Sequence, residues 1–196
     1  MPKALLLVAD GSEEIEFVTP YDVLTRAGFD VVSAGVNLKE NYAHMTRNVR
    51  IVPDYPTLLS VADKPAHEAY DILILPGGGP GAKTFATSEL VLDMIHAFQE
   101  KGKHVAAICA GTTALVAAQK KHGGKKSKVT SHPSVKKEVK DAGWEYSEER
   151  VAVDGKVITS RGPGTAMLFA LTIVEVLAGK EKKNEVAGPM VVAETL

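Results

Sequence analysis

Short, almost wholly apolar runs recur along this chain, each followed by a stretch with helical spacing. That alternation constrains the fold more than any other feature. Lys3–Ala9 (KALLLVA), Asp30–Val36 (DVVSAGV), Asp71–Leu75 (DILIL) and His104–Ile108 (HVAAI) read as strands. Runs that lack polar alternation belong to strands covered on both faces, the condition of a parallel sheet. Ser12–Gly28, Ser88–Lys101, Ala110–Lys121 and Thr165–Ala178 read as helices. Ser12 is the expected N-cap of the first, with Glu13 and Glu14 in an exposed first turn at the positive end of the dipole. Pro20 lacks the N–H that would bond the carbonyl of Glu16, so a kink or irregular start is expected there. Gly28, Gly102 and Gly179 stand where helices end. Shorter strands are expected at Val49–Val52 and Lys128–Thr130, and a helix at Ser134–Ala142. A hairpin turning at Asp154-Gly155 is expected within Glu149–Ser160. The tail Lys180–Leu196 begins charged and ends apolar. Strand–helix alternation implies an α/β fold with a mainly parallel sheet. A chain of 196 residues fits one domain, 1–196, burying about 70% of its unfolded surface.

Charge then narrows the function. Lys and Arg total 23 against 24 Asp and Glu, a formal net charge of −1. Nucleic-acid proteins and polybasic membrane anchors need a basic surplus, so neither partner is expected. Cys109 is the single cysteine, which excludes an internal disulfide and a multi-cysteine zinc site. No spacing suggests a metal site. No apolar run reaches the roughly 18 residues of a membrane span, and the N-terminus lacks signal-peptide organisation. A soluble, cytoplasmic protein is expected, with a nuclear pool left open.

Ligands of such sheets collect beyond the carboxyl ends of the strands. Four segments leave strand ends there: Asp10–Glu16, Pro76–Ala82, Cys109–Thr112 and Thr130–Pro133. Cys109 stands in Ala107-Ile108-Cys109-Ala110-Gly111, where a buried strand meets a small-residue turn and a helix. This has the form of a nucleophile elbow. The helix dipole is expected to lower the thiol pKa, and the Ala110 N–H to point where an oxyanion forms. The competing reading is an inert cysteine acting as a small hydrophobe. Pro76–Ala82 (PGGGPGA) suits a tight turn that offers a second oxyanion N–H, or a plain loop. As a dinucleotide fingerprint it fails, because Pro80 interrupts it and no acidic residue ends a following strand.

Glu16 falls among Ile15, Phe17 and Val18, where partial burial would raise its pKa and suit it to acid–base work. The alternative is a solvated helical glutamate. His132 follows a strand and suits a base or hydrogen-bond partner for Cys109, or a purely structural histidine. His122 competes for that role but sits in a basic stretch, KKHGGKK. Arg47 and Arg161 read as anion or interface contacts, or as surface ion pairs.

Five blocks, taken in order, resemble the DJ-one/PfpI superfamily and its DJ-one-like branch. They are Asp10–Glu16 (DGSEEIE), Leu75–Gly78 (LPGG), Ala106–Gly111 (AAICAG), Thr130–Pro133 (TSHP) and Thr159–Thr165 (TSRGPGT). The resemblance covers nearly the whole chain. It implies a flavodoxin-like sandwich, with helices on both faces of a mainly parallel sheet, and a homodimer. It implies Cys109 as nucleophile, Glu16 bonded to its sulfur, and His132 nearby. Gly78 and Ala110 would supply oxyanion N–H groups, and Arg47 would approach from the dimer side. The activity implied is that of a glutathione-independent glyoxalase (glyoxalase III), which needs no cofactor and turns the 2-oxoaldehyde methylglyoxal into lactate, or glyoxal into glycolate. Alternatives from the same resemblance are a redox sensor or chaperone-like stress protein that uses Cys109 oxidation, and a protein deglycase. Relatives of the human type carry further cysteines, so redox behaviour that needs other thiols is excluded here. The superfamily's protease-like branch has a different histidine setting. A glutamine amidotransferase would need a late His-x-Glu pair, and no histidine follows His132.

Overall fold

The computed structural model describes residues 1–61, 64–193 and 195. Its strands are β1 (Lys3–Val8), β2 (Asp30–Gly35), β3 (Ala43–His44), β4 (Arg50–Ile51), β5 (Ile72–Leu75), β6 (His104–Ile108), β7 (Lys128–Val129), β8 (Glu145–Tyr146), β9 (Val151–Asp154) and β10 (Val157–Ser160). Its α-helices are α1 (Glu14–Arg26), α2 (Ala66–Ala69), α3 (Gly79–Thr87), α4 (Glu89–Glu100), α5 (Thr112–His122), α6 (Lys136–Asp141), α7 (Ala166–Ala178) and α8 (Lys180–Ala187). Six strands form the central sheet in the order β2-β1-β5-β6-β10-β9. Every pairing is parallel except β10 with β9. Helices cover both faces, giving the flavodoxin-like sandwich.

Strand alternation sorts the core into two layers. Ala4, Leu6 and Val8 of β1 pack with Phe17 and Leu24 of α1 and Phe169 and Ile173 of α7. Leu5 and Leu7 turn to the other face, toward Phe85 of α3, Ile95 and Phe98 of α4, and Leu115 of α5. Because both strand faces are buried, the strands read as continuous apolar runs.

Several local expectations change. Ser12 does not cap α1. Its hydroxyl accepts the Ala9 N–H at 3.0 Å, while the Glu13 carboxylate caps the helix through the Glu16 N–H at 2.9 Å. Glu14 is buried rather than exposed, because its carboxylate serves a distant hairpin described below. Pro20 lies inside α1, which runs continuously from Glu14 to Arg26. The helix expected from Ala110 starts at Thr112, after a short 3-10 turn over Cys109–Gly111. Val49–Val52 contributes only Arg50–Ile51, paired with β3 in a separate ribbon. Pro76–Ala82, read as a loop, opens α3 from Gly79 onward. Glycine disfavours a helix interior, but Pro80 occupies the first turn, where its missing N–H costs nothing. The charged part of the tail forms α8, and its apolar end falls partly on residues 194 and 196, outside the described residues.

Candidate active site

Three strand ends converge on Cys109. Strand β6 delivers it into a left-handed backbone conformation, φ +63°, which costs a non-glycine residue about 1–2 kcal/mol. That turn aims the side chain out of the sheet line, as the elbow reading expected. Neighbouring loops must approach very closely. A Cβ at Gly77 would lie 2.6 Å from the Cys109 Cβ and 2.6 Å from Glu16 Oε2. Gly78 has φ +82°, and a Cβ there would meet the Gly11 carbonyl at 2.2 Å. Only glycine fits either position, so the LPGG block is a packing requirement before it is anything else.

The carboxyl of Glu16 is wholly buried. Its Oε2 accepts the Gly77 N–H at 2.7 Å. Its Oε1 is enclosed without a well-formed partner; the Cys109 thiol interacts with the carboxyl, and the charge of Glu13 acts on it as well. Burial pushes the Glu16 carboxyl up to about 7, against the opposing effects of the thiol and the Gly77 amide. The thiol is pushed up to about 12, first by burial and then by the charge of ionised Glu16 and its hydrogen bond to that carboxylate. Backbone N–H groups of Ala110 and Gly78 donate toward the sulfur and pull the other way. The helix-dipole argument expected a lowered thiol pKa. The pocket reverses it, because desolvation and a neighbouring carboxylate outweigh two amides. Sulfur and carboxyl thus form a pair that holds one proton: ionised Glu16 keeps Cys109 a thiol, and a neutral Glu16 removes that repulsion.

His132 is joined to Cys109 through the backbone, its N–H donating to the Cys109 carbonyl at 3.3 Å. The imidazole is not hydrogen-bonded to the sulfur among the described residues. Its Nδ1 accepts the Ser134 N–H at 3.2 Å and lies 2.8 Å from the Ser134 hydroxyl. A backbone N–H only donates, so the neutral ring carries its hydrogen on Nε2. His122 is elsewhere, 2.9 Å from Asp93 and stacked on His96. Arg161 takes the surface reading, paired with Glu148 at 3.3 Å.

Arg47 lines the same cavity as Glu16, Gly78, Cys109, Ala110 and His132, a space of about 1360 Å³. It is held there by a residue the sequence reading placed on the surface. The Glu14 carboxylate accepts the Thr46 hydroxyl at 2.8 Å and also the Arg47 N–H, so the helix that carries Glu16 also anchors the β3–β4 ribbon. These bonds lower the Glu14 pKa against the opposing effect of burial, its largest single influence. Glu14, Thr46 and Ser134 were missed as site residues. Glu14 and Thr46 meet across 32 residues, which leaves no spacing pattern, whereas Ser134 stands two residues from its partner His132 and could have been found as the residue capping that ring. Among the described residues no group of three or more His, Cys, Asp or Glu is placed to hold a metal ion, and no helix is long and apolar enough to cross a membrane.

A model of the DJ-1/PfpI family matches residues 2–176. The Parkinson disease protein 7 homolog of Danio rerio is 42% identical over 193 residues, 98% of either chain. The glutathione-independent glyoxalase DJ-1 of Schizosaccharomyces pombe is 39% identical, covering 95% of this chain and 96% of the relative. The crystal structure of Drosophila melanogaster DJ-1beta superposes with a TM-score of 0.88 at 42% identity, covering 98% of each chain.

Proposed function

The chain belongs to the DJ-1/PfpI family, and from that premise we propose that it is a cofactor-free, glutathione-independent glyoxalase converting methylglyoxal to lactate on Cys109. The observation that carries the reading is the buried Glu16–Cys109 pair beneath two inward-pointing amides. Ionised Glu16 takes the thiol proton as the sulfur attacks the aldehyde carbon, which avoids any need for a standing thiolate. The N–H groups of Gly78 and Ala110 hold the resulting oxyanion, and Glu16 returns the proton to give a hemithioacetal. Glu16 then removes the hydrogen from the former aldehyde carbon while the neighbouring carbonyl oxygen gains a proton, giving an enediol. The Nε2–H of His132 supports that oxygen. Glu16 returns its proton to the second carbon while the hydroxyl on the first carbon gives up its own, balancing the one gained by the neighbouring oxygen; this leaves a lactoyl thioester, which water cleaves to lactate and free thiol. One carbon is oxidised and its neighbour reduced, so no external electron acceptor enters.

Arg47 guides the substrate carbonyls at the mouth. Ile15 and Val18 on α1 and Val49 and Val52 flanking β4 are exposed apolar side chains on the helix and the ribbon that Glu14 ties together, which supports a homodimer closing over these two elements. The chain acts as one domain, 1–196, in the cytoplasm. Lactate release from methylglyoxal without glutathione or metal tests the reading: Cys109→Ser loses it entirely, and equal product from both proteins refutes it. A second reading is oxidation of Cys109 to a sulfinate in a stress response, favoured because neutral Glu16 and the two amides are donors around the sulfur. Mild peroxide followed by mass spectrometry finds the two-oxygen adduct on Cys109 before the methionines, or rejects this role.

A further inference from the structure

The cavity at Cys109 is far larger than a three-carbon substrate needs, at about 1360 Å³. Its extra space has a definite shape. Gly79, Ala82, Lys83, Ala86 and Thr87 line it from α3, a spacing that marks one face of that helix. Thr113, Val116, Ala117, Gln119 and Lys120 line it from one side of α5. The space is therefore a groove along two packed helices. It runs from the nucleophile for the seven residues between Thr113 and Lys120, about 10 Å at 1.5 Å per residue. Ala82, Ala86, Val116 and Ala117 make an apolar floor, and the small alanines are what leave it open. Lys83 and Lys120 are exposed and make no ion pair among the described residues. On the facing wall Lys137 is paired with Asp141 at 2.5 Å, and Lys126 is tied to the Ala142 carbonyl at 2.7 Å. Glu138 is the acid left there. On the α3–α5 wall the cations without an ion pair are therefore Lys83, four residues or about 6 Å along α3 from Gly79, and Lys120, about 10 Å along α5 from Thr113, one on each side of the apolar floor.

We propose that this groove is a subsite for 2-oxoaldehydes that carry an aliphatic spacer and a terminal anion. The aldehyde would stand at Cys109, the spacer on the alanine floor, and the carboxylate or phosphate between Lys83 and Lys120. This rests on the glyoxalase reading and names the substrate class it favours. Ten ångströms corresponds to about eight bonds at roughly 1.2 Å each, the advance of an extended chain, or about six methylenes between the dicarbonyl and the anion. The chemistry is unchanged, since the reacting carbons are the same.

The test compares a 2-oxoaldehyde with six methylenes and a terminal carboxylate against its terminal amide, which differs in charge alone. Methylglyoxal and Cys109→Ser are run alongside. The wild type favours the carboxylate in kcat/KM by about fivefold to tenfold at low salt, since an exposed ion pair gives up to about fivefold per lysine. The preference shrinks toward unity in Lys83→Gln/Lys120→Gln and in molar salt, where screening reaches about 3 Å. Equal use of carboxylate and amide by the wild type overturns the subsite, as does a preference that survives loss of both lysines. Absence of Cys109-dependent product from methylglyoxal itself is a different result. It brings down the glyoxalase reading and the subsite with it.

Discussion

The two helical layers and the rim at the carboxyl ends of the strands are built by opposite rules. In the layers, Leu5 and Leu6 of one strand go to opposite cores, each apolar side chain does one thing, and the local pattern agrees with the global fold. At the rim, Cys109 sits in a left-handed conformation, a carboxyl is buried with an unsatisfied oxygen, and Gly77 leaves no room for a methyl group. Each rim feature is locally unfavourable and is held by packing from the layers below. The difference shows where this chain spends stability: on placing a carboxyl against a thiol.

Substitutions at the two regions should therefore separate activity from stability. Gly77→Ala drives a methyl group into both Cys109 and Glu16. It should lower kcat/KM at least 10²-fold, the usual consequence of misplacing reacting groups by about 1 Å; a variant of near-normal rate would break the comparison. Phe98→Ala acts in the layer. It should cost about 3–5 kcal/mol by denaturant titration, while lactate formation by the folded fraction stays normal. A smaller effect sharpens the contrast through pH. Glu16 has its folded pKa raised from 4.5 to about 7, so the folded state prefers the protonated carboxyl. Its contribution is fully present below pH 4.5 and is lost as pH rises through 7, about 3 kcal/mol in all at 1.36 kcal/mol per unit. Stability curves for wild type and Glu16→Gln should diverge across that window, with the wild type losing more. Parallel curves would mean that the carboxyl is not buried as described.

The same contrast explains what could be read from the amino-acid sequence. KALLLVA, DILIL and HVAAI are legible as strands because a doubly covered strand is apolar throughout, and AICAG is legible because an elbow needs small residues next to its nucleophile. Helix α3 is hidden by its glycines and proline, whose propensities oppose the helix that packing imposes. Glu14 reads as a solvated first-turn acid because its partners, Thr46 and Arg47, lie on a ribbon more than 30 residues away. The thiol pKa is misjudged for a related reason. The dipole of the following helix is a local feature, whereas the burial that raises the thiol, and the Glu16 carboxylate that adds to it, come from segments distant in the sequence. Local rules describe the strands and most layer helices and expose the elbow; they fail at α3 and for the rim's carboxylates and thiol, where non-local contacts decide.

The central claim is that a neutral thiol is activated by a buried carboxylate, and the pH dependence of kcat/KM with methylglyoxal tests it most directly. In the wild type the rate should rise with pH through about 7 as Glu16 ionises. In Glu16→Gln that inflection should vanish and the rate should fall 10²–10⁴-fold, the range a general base supplies. An unchanged profile in Glu16→Gln, or a wild-type rate that falls as pH rises through 7, would contradict the account.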